Sequence, residues 1–213
     1  MKPYLVKTPK FVQRIFPERV WAFPNTGSAI YLTFDDGPIP EVTPWVLDTL
    51  KNYNAKATFF CIGDNIKKHP AIFQRMLDEG HAIGNHTQNH LNGWNTNTED
   101  YIANIEKGAT SISEFEVTEQ PQLFRPPYGK ITSEQCRRVQ SLGYKIIMWD
   151  VLSADFDAKI SEEKCYTNVA ENLAAGSIVV FHDSLKAAKN MMYALPKILQ
   201  QINTNGWHCT TLE

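Results

Sequence analysis

Short runs rich in β-branched and aromatic residues alternate along this chain with stretches in which apolar residues recur at helical spacing. Runs of the first kind predict buried strands, and stretches of the second kind predict helices that cover them. The predicted strands are 29–34, 57–62, 81–84, 122–124, 144–149, 178–181 and 207–212. The predicted helices are 42–53, 71–79, 99–115, 133–142, 162–174 and 186–202.

Strands that alternate with helices imply a parallel sheet, because the chain must cross back over the sheet between neighbouring strands. We therefore predict one α/β domain over residues 29–213, with the sheet either open or rolled into a barrel. Residues 1–28 are expected to pack on the domain surface. Charges interrupt every apolar run there, so we expect neither a signal peptide nor a membrane span. The chain as written is expected in the cytoplasm, or outside it if a leader has been removed.

The overall charge of the chain limits the classes of binding partner that we expect. A formal net charge of −2 provides no field that would favour nucleic acid or an anionic membrane. The four cysteines are scattered and form no C-x-x-C pair, so we expect buried or incidental thiols rather than a zinc knuckle or a disulfide framework. Neither observation predicts the oligomeric state.

Polar residues that could carry chemistry follow five of the predicted strands directly. They are Asp35-Asp36, the run from Asn85 to His90, Arg125, Asp150 and His182-Asp183. In parallel α/β folds the carboxyl ends of the strands form the rim at which ligands bind. The sequence therefore predicts that these side chains converge on one site.

His86 and His90 are four residues apart, a spacing that presents two imidazoles on one side of a helical turn. Either Asp35 or Asp36 could supply a hard third ligand from the first strand. Two histidines and one carboxylate leave a coordination position open for water, which is the pattern of a catalytic zinc site. The other aspartate could then accept a proton from that water. The predicted cofactor is a divalent metal, with zinc the first candidate.

Four segments, in this order, resemble the motifs of a known enzyme family. They are 33–38 (TFDDGP), 86–90 (HTQNH), 125–129 (RPPYG) and 180–182 (VFH). From about Ile30 to its C-terminus the chain is similar to polysaccharide deacetylases, the NodB-homology or carbohydrate esterase family 4 enzymes. The resemblance implies a distorted (β/α)7 barrel, in agreement with the strand pattern.

The resemblance also implies a role for each matched position. Asp35 matches the general base, Arg125 matches the residue that orients and charge-pairs the base, and His182 matches the general acid. The positions that match the metal ligands are Asp36, His86 and His90.

Substrate-side and supporting positions follow from the same resemblance. The backbone N–H of Tyr128 matches an oxyanion donor, and Pro126 and Phe156 are expected beside the substrate. Thr87 resembles the residue that holds the histidine loop by hydrogen bonding.

A further segment, 149–156 (WDVLSADF), resembles another motif of the family but departs from its pattern. Leu152 stands where the family usually has an aspartate that tunes the acid histidine, and Phe156 stands where it usually has a tryptophan. Phe156 can do much of what the larger ring does, but Leu152 carries no charge. Asp150 or Asp155 could stand in for the missing carboxylate, and we place Asp150 among the supporting residues.

These observations predict a metal-dependent hydrolase that removes N-acetyl groups from a polysaccharide or oligosaccharide containing N-acetylglucosamine, such as peptidoglycan, a chitin-like chain or an exopolysaccharide. The alternatives are an O-acetyl esterase acting on xylan-type polymers, a related enzyme that opens cyclic amides or imides, and a non-catalytic sugar-binding module. The intact set of Asp36, His86 and His90 argues against the cyclic-amide enzymes, since such relatives often lack it. Trp94, in a polar run, could stack on a sugar ring or be an ordinary surface aromatic.

Overall fold

Every strand pair in the sheet is parallel, as the alternation of strand and helix patterns predicted. The computed structural model describes residues 4–115 and 122–213. Its strands are β1 (Ala29–Asp35), β2 (Thr58–Cys61), β3 (Ala82–Asn85), β4 (Leu123–Phe124), β5 (Lys145–Ile146), β6 (Val151–Leu152), β7 (Ile178–His182) and β8 (His208–Cys209). Seven of them follow the order β5-β4-β3-β2-β1-β7-β6, and β8 pairs with the amino end of β1. The sheet curls into a half-barrel, which confirms the predicted fold class.

Helices fill the connections between most of the strands. They are α1 (Lys10–Ile15), α2 (Thr43–Asn52), α3 (Gly63–Lys68), α4 (Pro70–Asp78), α5 (Thr98–Ser113), α6 (Ser133–Ser141), α7 (Glu162–Ala170) and α8 (Ala188–Thr204). The short helix α3 has no counterpart among the predicted elements, because six residues are too few to display a helical period. Among the described residues, no helix has both the length and the apolar character needed to cross a membrane.

Only Lys145–Ile146 of the predicted strand 144–149 pair with β4, as β5, and the next strand, β6, lies beyond the predicted bounds. After β5 the chain leaves β4 and pairs with the N-terminal segment: Val20 N–H donates to Ile146 O at 2.9 Å, and Met148 N–H donates to Val20 O at 2.7 Å. The chain then joins the other edge of the sheet as β6, where Leu152 N–H donates to Val6 O at 2.8 Å. Residues of the N-terminal segment therefore form backbone hydrogen bonds with the chain that runs from β5 to β6, the two edge strands of the sheet.

Alternation along β1 separates the core from the site. Ile30, Leu32 and Phe34 are fully buried in the main hydrophobic cluster, together with residues of α2 and α8. Thr33 and Asp35 point to the opposite face, because successive side chains of a strand alternate. That face is the concave interior of the half-barrel, and it leads to the candidate site at the carboxyl ends of the strands.

The cysteine thiols are not part of the candidate metal-ligand cluster. Cys61, Cys136 and Cys165 are buried free thiols, and Cys209 is partly exposed. Burial raises the pKa of the Cys165 thiol, so this side chain remains a neutral thiol at physiological pH.

Candidate active site

A fully buried arginine holds the carboxylate at the end of β1. Arg125 Nη1 lies 2.8 Å from Asp35 Oδ1 and also donates to Thr33 Oγ1 at 2.6 Å. Its Nη2 donates to Met148 O at 2.9 Å, and its Nε donates to Ile147 O at 3.3 Å. The guanidinium is thus fixed by four hydrogen bonds in a place from which water is excluded, and it orients Asp35 toward the rim.

The next residue, Asp36, sits in a backbone turn that other side chains hold. Its φ is 88°, in the left-handed region, and its carbonyl accepts a hydrogen bond from Asn65 Nδ2 at 2.7 Å. Gly37 N–H donates to Asp183 Oδ1 at 2.9 Å, and a Cβ at Gly37 would meet Asp183 Oδ2 at 1.9 Å. Thr43 Oγ1 donates to the same carboxylate at 2.5 Å. Asp183 therefore clamps the turn that carries Asp36, and only glycine fits beside it.

Asp36, His86 and His90 present three ligand atoms that all lie within 4.8 Å of one another. Asp36 Oδ1 lies 3.2 Å from His90 Nε2 and 3.8 Å from His86 Nε2. This oxygen is buried and accepts no hydrogen bond among the described residues. A buried carboxylate oxygen without a partner is costly unless a cation compensates it, so the residues fit a divalent metal.

The protonation state of His86 also suits a ligand. His86 Nδ1 lies 2.8 Å from Arg125 O, and a carbonyl can only accept, so Nδ1 carries the proton and Nε2 presents its lone pair. Burial lowers the pKa of His86 to about 4, although the Asp35 carboxylate opposes this shift. His86 is therefore neutral at physiological pH, as metal ligation requires.

The loop after β3 is strained where it presents the second imidazole. Thr87 and His90 have φ values of 65° and 57°. Thr87 Oγ1 accepts a hydrogen bond from Leu91 N–H at 3.2 Å, and Thr87 N–H donates to Asn85 Oδ1 at 2.8 Å. Both bonds lie within the histidine loop, and the role of Thr87 in holding that loop stays a prediction. Left-handed backbone of this kind persists only where the surroundings enforce it.

The loop after β4 packs against the metal-ligand cluster. Pro126 O accepts a hydrogen bond from Gly129 N–H at 2.9 Å and closes a 3₁₀ turn, Pro127–Gly129. Tyr128 has φ 60°, and its ring centroid lies 4.6 Å from that of His90. The side chain of Tyr128 is exposed and forms part of the rim.

A second carboxylate holds the candidate acid. His182 Nδ1 lies 2.7 Å from Asp155 Oδ1, and His182 N–H donates to Asp155 Oδ2 at 2.7 Å. Burial alone would lower the pKa of His182, but the Asp155 carboxylate outweighs it and raises the pKa to about 10. The ring of Phe156 meets the imidazole of His182 edge-on, with 5.2 Å between centroids.

Asp150 was expected to support the acid histidine, but the structure places it elsewhere. Asp150 Oδ2 pairs with Lys7 Nζ at 2.6 Å, and its Oδ1 accepts from Ile178 N–H at 2.9 Å, at the amino end of β7. His182 is at the carboxyl end of the same strand. Asp155, the other carboxylate that could stand in according to the sequence, is therefore the one beside His182. Asp183 was missed as a supporting residue, because nothing local in the sequence shows what it clamps.

Strand register brings the two halves of the site together. Asp35 is the direct partner of His182 across β1 and β7, and β3 lies one strand beyond β2 on the other side of β1. A three-ligand cluster beside an arginine-held carboxylate and a carboxylate-held imidazole is the combination found in hydrolases that use a divalent cation.

Comparison with known proteins agrees with this class. Residues 24–147 match the family model described as polysaccharide deacetylase. A peptidoglycan-N-acetylglucosamine deacetylase of Bacillus cereus is 36% identical over 193 residues, which cover 90% of each chain. Chitin deacetylase 2 of Saccharomyces cerevisiae is 34% identical and covers 86% of this chain and 59% of its own length. The chain belongs to the polysaccharide deacetylase family and is a hydrolase of carbohydrate esterase family 4.

Solved structures agree on the fold. The Bc1960 peptidoglycan N-acetylglucosamine deacetylase superposes with a TM-score of 0.87 at 34% identity, covering 96% of this chain and 95% of its own. A family pseudoenzyme from Bacillus anthracis, BA3943, also superposes with a TM-score of 0.81, at 21% identity. The second likeness shows the fold alone. Catalysis must therefore be argued from the site residues and not from the barrel.

Proposed function

We propose that this protein is a zinc-dependent deacetylase that removes the acetyl group from N-acetylglucosamine residues of peptidoglycan or a chitin-like chain and releases acetate. The names of the relatives that are at least 34% identical to the chain over most of its length support this substrate class. The observation that carries the proposal is the buried, unpartnered Asp36 Oδ1 facing two imidazole nitrogens, beside the carboxylate of Asp35.

Asp36, His86 and His90 would hold the metal. A cation bound there supplies Lewis acidity toward the acetyl carbonyl and lowers the pKa of water. Burial would raise the pKa of Asp36, but the facing imidazoles of His90, His182 and His86 lower it below its usual range. The carboxylate form that a cation needs is therefore favoured.

Asp35 is the proposed general base. Arg125 binds its Oδ1 and fixes the plane of the carboxylate, so the proton of the attacking water is accepted in one defined orientation. Asp35 directly precedes Asp36, and this places the base next to the metal ligands. A water held there would lose its proton to Asp35 beside the residues that would hold the cation.

His182 is the proposed general acid. Its Nδ1–H donates to Asp155, so the Nε2–H is the proton available to the departing sugar amine. A pKa of about 10 keeps this imidazole protonated at neutral pH. The cross-strand pairing of Asp35 and His182 supports this assignment, because it brings the proposed base and the proposed acid side by side at the rim.

The remaining groups would bind the substrate. The backbone N–H of Tyr128 is the proposed oxyanion donor, and the turn that begins at Pro126 sets its direction. Phe156 forms an apolar wall beside His182. An acetyl methyl group needs such a wall because it makes no hydrogen bonds.

Acetate release tests the proposal. Chelated and dialysed protein is assayed on N-acetylglucosamine oligomers and on peptidoglycan, before and after zinc is restored. We expect activity to disappear on chelation and to return with zinc. Full activity after exhaustive chelation would remove the metal from the proposal, and acetate released only from O-acetylated xylan would replace it with the esterase alternative.

Asp35→Asn tests the base separately from the metal. We expect zinc binding to persist and turnover to fall on the order of 1,000-fold, within the range that general-base and electrostatic groups contribute together. Asp64→Asn, at an exposed carboxylate in α3, is the matched control and is expected to retain activity. Wild-type turnover by Asp35→Asn would show that another group is the base.

A further inference from the structure

One aromatic side chain on the active-site rim has no part in the proposed chemistry. Trp94 lies in a 3₁₀ turn, Gly93–Asn95, that begins three residues after His90, and its side chain is 64% exposed. Its indole N–H donates to Ile131 O at 3.4 Å, and its backbone N–H donates to Asn92 Oδ1 at 3.0 Å. The indole is thus anchored at its polar edge while much of its apolar surface faces solvent. Exposed aromatic surface held in this way is typical of a binding platform.

A lysine accompanies this ring. Lys130 Nζ lies 5.1 Å from the centroid of the Trp94 ring. Among residues 4–115 and 122–213, no carboxylate lies within 4.0 Å of Lys130 Nζ to form an ion pair. The rim therefore offers an apolar face and a positive charge side by side, without an acidic partner in the part of the chain that the structure describes.

Packing between two loops fixes this pair in place. Gln135 Nε2 donates to Gly93 O at 2.9 Å and to Thr96 O at 3.0 Å, so α6 holds both ends of the Trp94 turn. A Cβ at Gly93 would meet Lys130 O at 2.5 Å, which means that the two loops touch through their backbones. A site whose groups are already positioned loses less entropy when a ligand binds.

The pair adjoins the candidate active site. Trp94 follows the loop of His90 after β3, and Lys130 follows Tyr128 after β4, which is the strand next to β3. The rings of His90 and Tyr128 are in contact, with 4.6 Å between centroids. A polysaccharide whose acetylated residue occupies the site would extend over this rim with its neighbouring sugar.

We propose that Trp94 and Lys130 form a subsite for a neighbouring sugar that carries a carboxylate. The indole would stack on the apolar face of the pyranose ring, and the ammonium would pair with the carboxylate. This inference rests on the proposed function and deepens it. It selects a polymer that alternates N-acetylglucosamine with a carboxylate-bearing sugar, as peptidoglycan does through its lactyl and peptide groups, over neutral chitin-like chains.

The test compares two substrates of equal length, a neutral N-acetylglucosamine tetramer and a peptidoglycan-derived tetrasaccharide. Lys130→Gln is expected to raise KM about 5-fold for the peptidoglycan fragment and to leave KM for the neutral tetramer within 2-fold. Lys107→Gln, on the exposed face of α5, is the matched charge control and should change neither value. High salt should reduce the difference between wild type and Lys130→Gln, because screening weakens exposed ion pairs.

Trp94 is tested by truncation and by conservative replacement. Trp94→Ala is expected to raise KM about 10-fold for both tetrasaccharides with kcat within 2-fold, and Trp94→Tyr should restore most of the affinity because it retains an aromatic face. Unchanged KM in Trp94→Ala, or an equal effect of Lys130→Gln on both substrates, would overturn the subsite.

A direct binding measurement separates failure of the subsite from failure of the proposed function. If the wild type released no acetate from any N-acetylated substrate, the proposed function would fail. Calorimetric titration with the same two tetrasaccharides would still test the subsite. Tighter binding of the peptidoglycan fragment by wild type than by Lys130→Gln would support it, and equal binding would overturn it.

Discussion

The two halves of the candidate site are built in different ways. The half with the proposed metal ligands and base, called the metal and base half, comes from the ends of β1, β3 and β4. Its residues stand in short runs: two adjacent aspartates, two histidines four apart, and one arginine. The acid half comes from β7 and the loop after β6, where His182 meets Asp155, 27 residues away. Tyr4 packs on Phe156 with 6.0 Å between ring centroids. The first half consists of short runs that parallel strands bring together from positions up to 90 residues apart, and the second depends on the path of the loop after β6.

This difference explains why the first half of the site could be predicted from the sequence and the second half could not. In the metal and base half, strand register alone brings the runs together, because each run sits at the carboxyl end of a parallel strand. In the acid half, two candidate carboxylates, Asp150 and Asp155, stand on either side of β6. Only the path of the chain around β6 decides which of them reaches the imidazole of His182. Asp155 reaches His182, whereas Asp150 turns to Lys7.

The largest effect is expected from a substitution in the metal and base half. His86→Ala removes one of three ligand atoms, so zinc affinity should fall on the order of 100-fold or more, and turnover should fall at least 1,000-fold by order of magnitude. Calorimetry with zinc and acetate release measure the two quantities. His81→Asn, at a buried histidine just before the amino end of β3, is the control and should bind zinc normally. Wild-type zinc affinity in His86→Ala would exclude His86 as a ligand.

The next largest effect is expected from a substitution in the acid half. Asp155→Asn should reduce kcat on the order of 100-fold, because general acids contribute that much or more. The Asp155 carboxylate raises the pKa of His182, so its removal lowers that pKa, and the alkaline limb of the pH–rate profile should move to lower pH. Asp150→Asn is the matched control, since it removes a buried carboxylate that does not touch His182. Equal loss of kcat in both variants, with no shift of the alkaline limb, would contradict the assignment.

A smaller effect tests whether residues 1–28 are an integral part of the domain, as we propose. Lys7 pairs with the buried Asp150, so Lys7→Met should lower the free energy of unfolding by about 2 kcal/mol, the value typical of hydrogen bonds to charged groups. Urea denaturation measures this change. Lys10→Met, in α1 of the same segment, is the control. A loss in Lys7→Met no greater than in the control would show that the segment adds little to stability.

The smallest effect concerns a histidine outside the metal-ligand cluster. Burial lowers the pKa of His81 to about 4, and its Nδ1 accepts a hydrogen bond from Ala57 N–H at 3.2 Å. The folded-state pKa is below the unfolded value of about 6.5, so the stabilising contribution is present above that value and is lost as pH falls toward 4. Between about pH 7.5 and about pH 5.5 the loss is about 1.4 kcal/mol.

Urea denaturation of wild type and His81→Asn at both pH values isolates this contribution. Asparagine keeps an acceptor near the position of Nδ1 but does not titrate, so the pH dependence of stability should be weaker in the variant by that amount. The same pH dependence in both proteins would show that His81 is not the group responsible.

Several elements of the fold could not be predicted from the sequence, for physical reasons. Helix α3 is too short to display a period, and 144–149 has the composition of one strand although only Lys145–Ile146 of it join the sheet. Its partners there are residues of the N-terminal segment, more than 120 positions away, and pairing at that distance leaves no local pattern. Asp183 also acts over a long distance in the sequence. It supports the turn of Asp36 by accepting a hydrogen bond from Gly37 N–H, which no spacing in the sequence predicts.

The sequence by itself determined the class of fold, and it predicted which polar residues would stand at the carboxyl ends of the strands, among them the proposed metal and base positions. It could do so because alternation and side-chain chemistry are local properties, and parallel strands place their carboxyl ends on one rim. Only the tertiary structure decided which carboxylate holds the acid histidine and where the N-terminal residues attach. Those outcomes depend on which buried charges lie within hydrogen-bonding distance once distant parts of the chain have packed together.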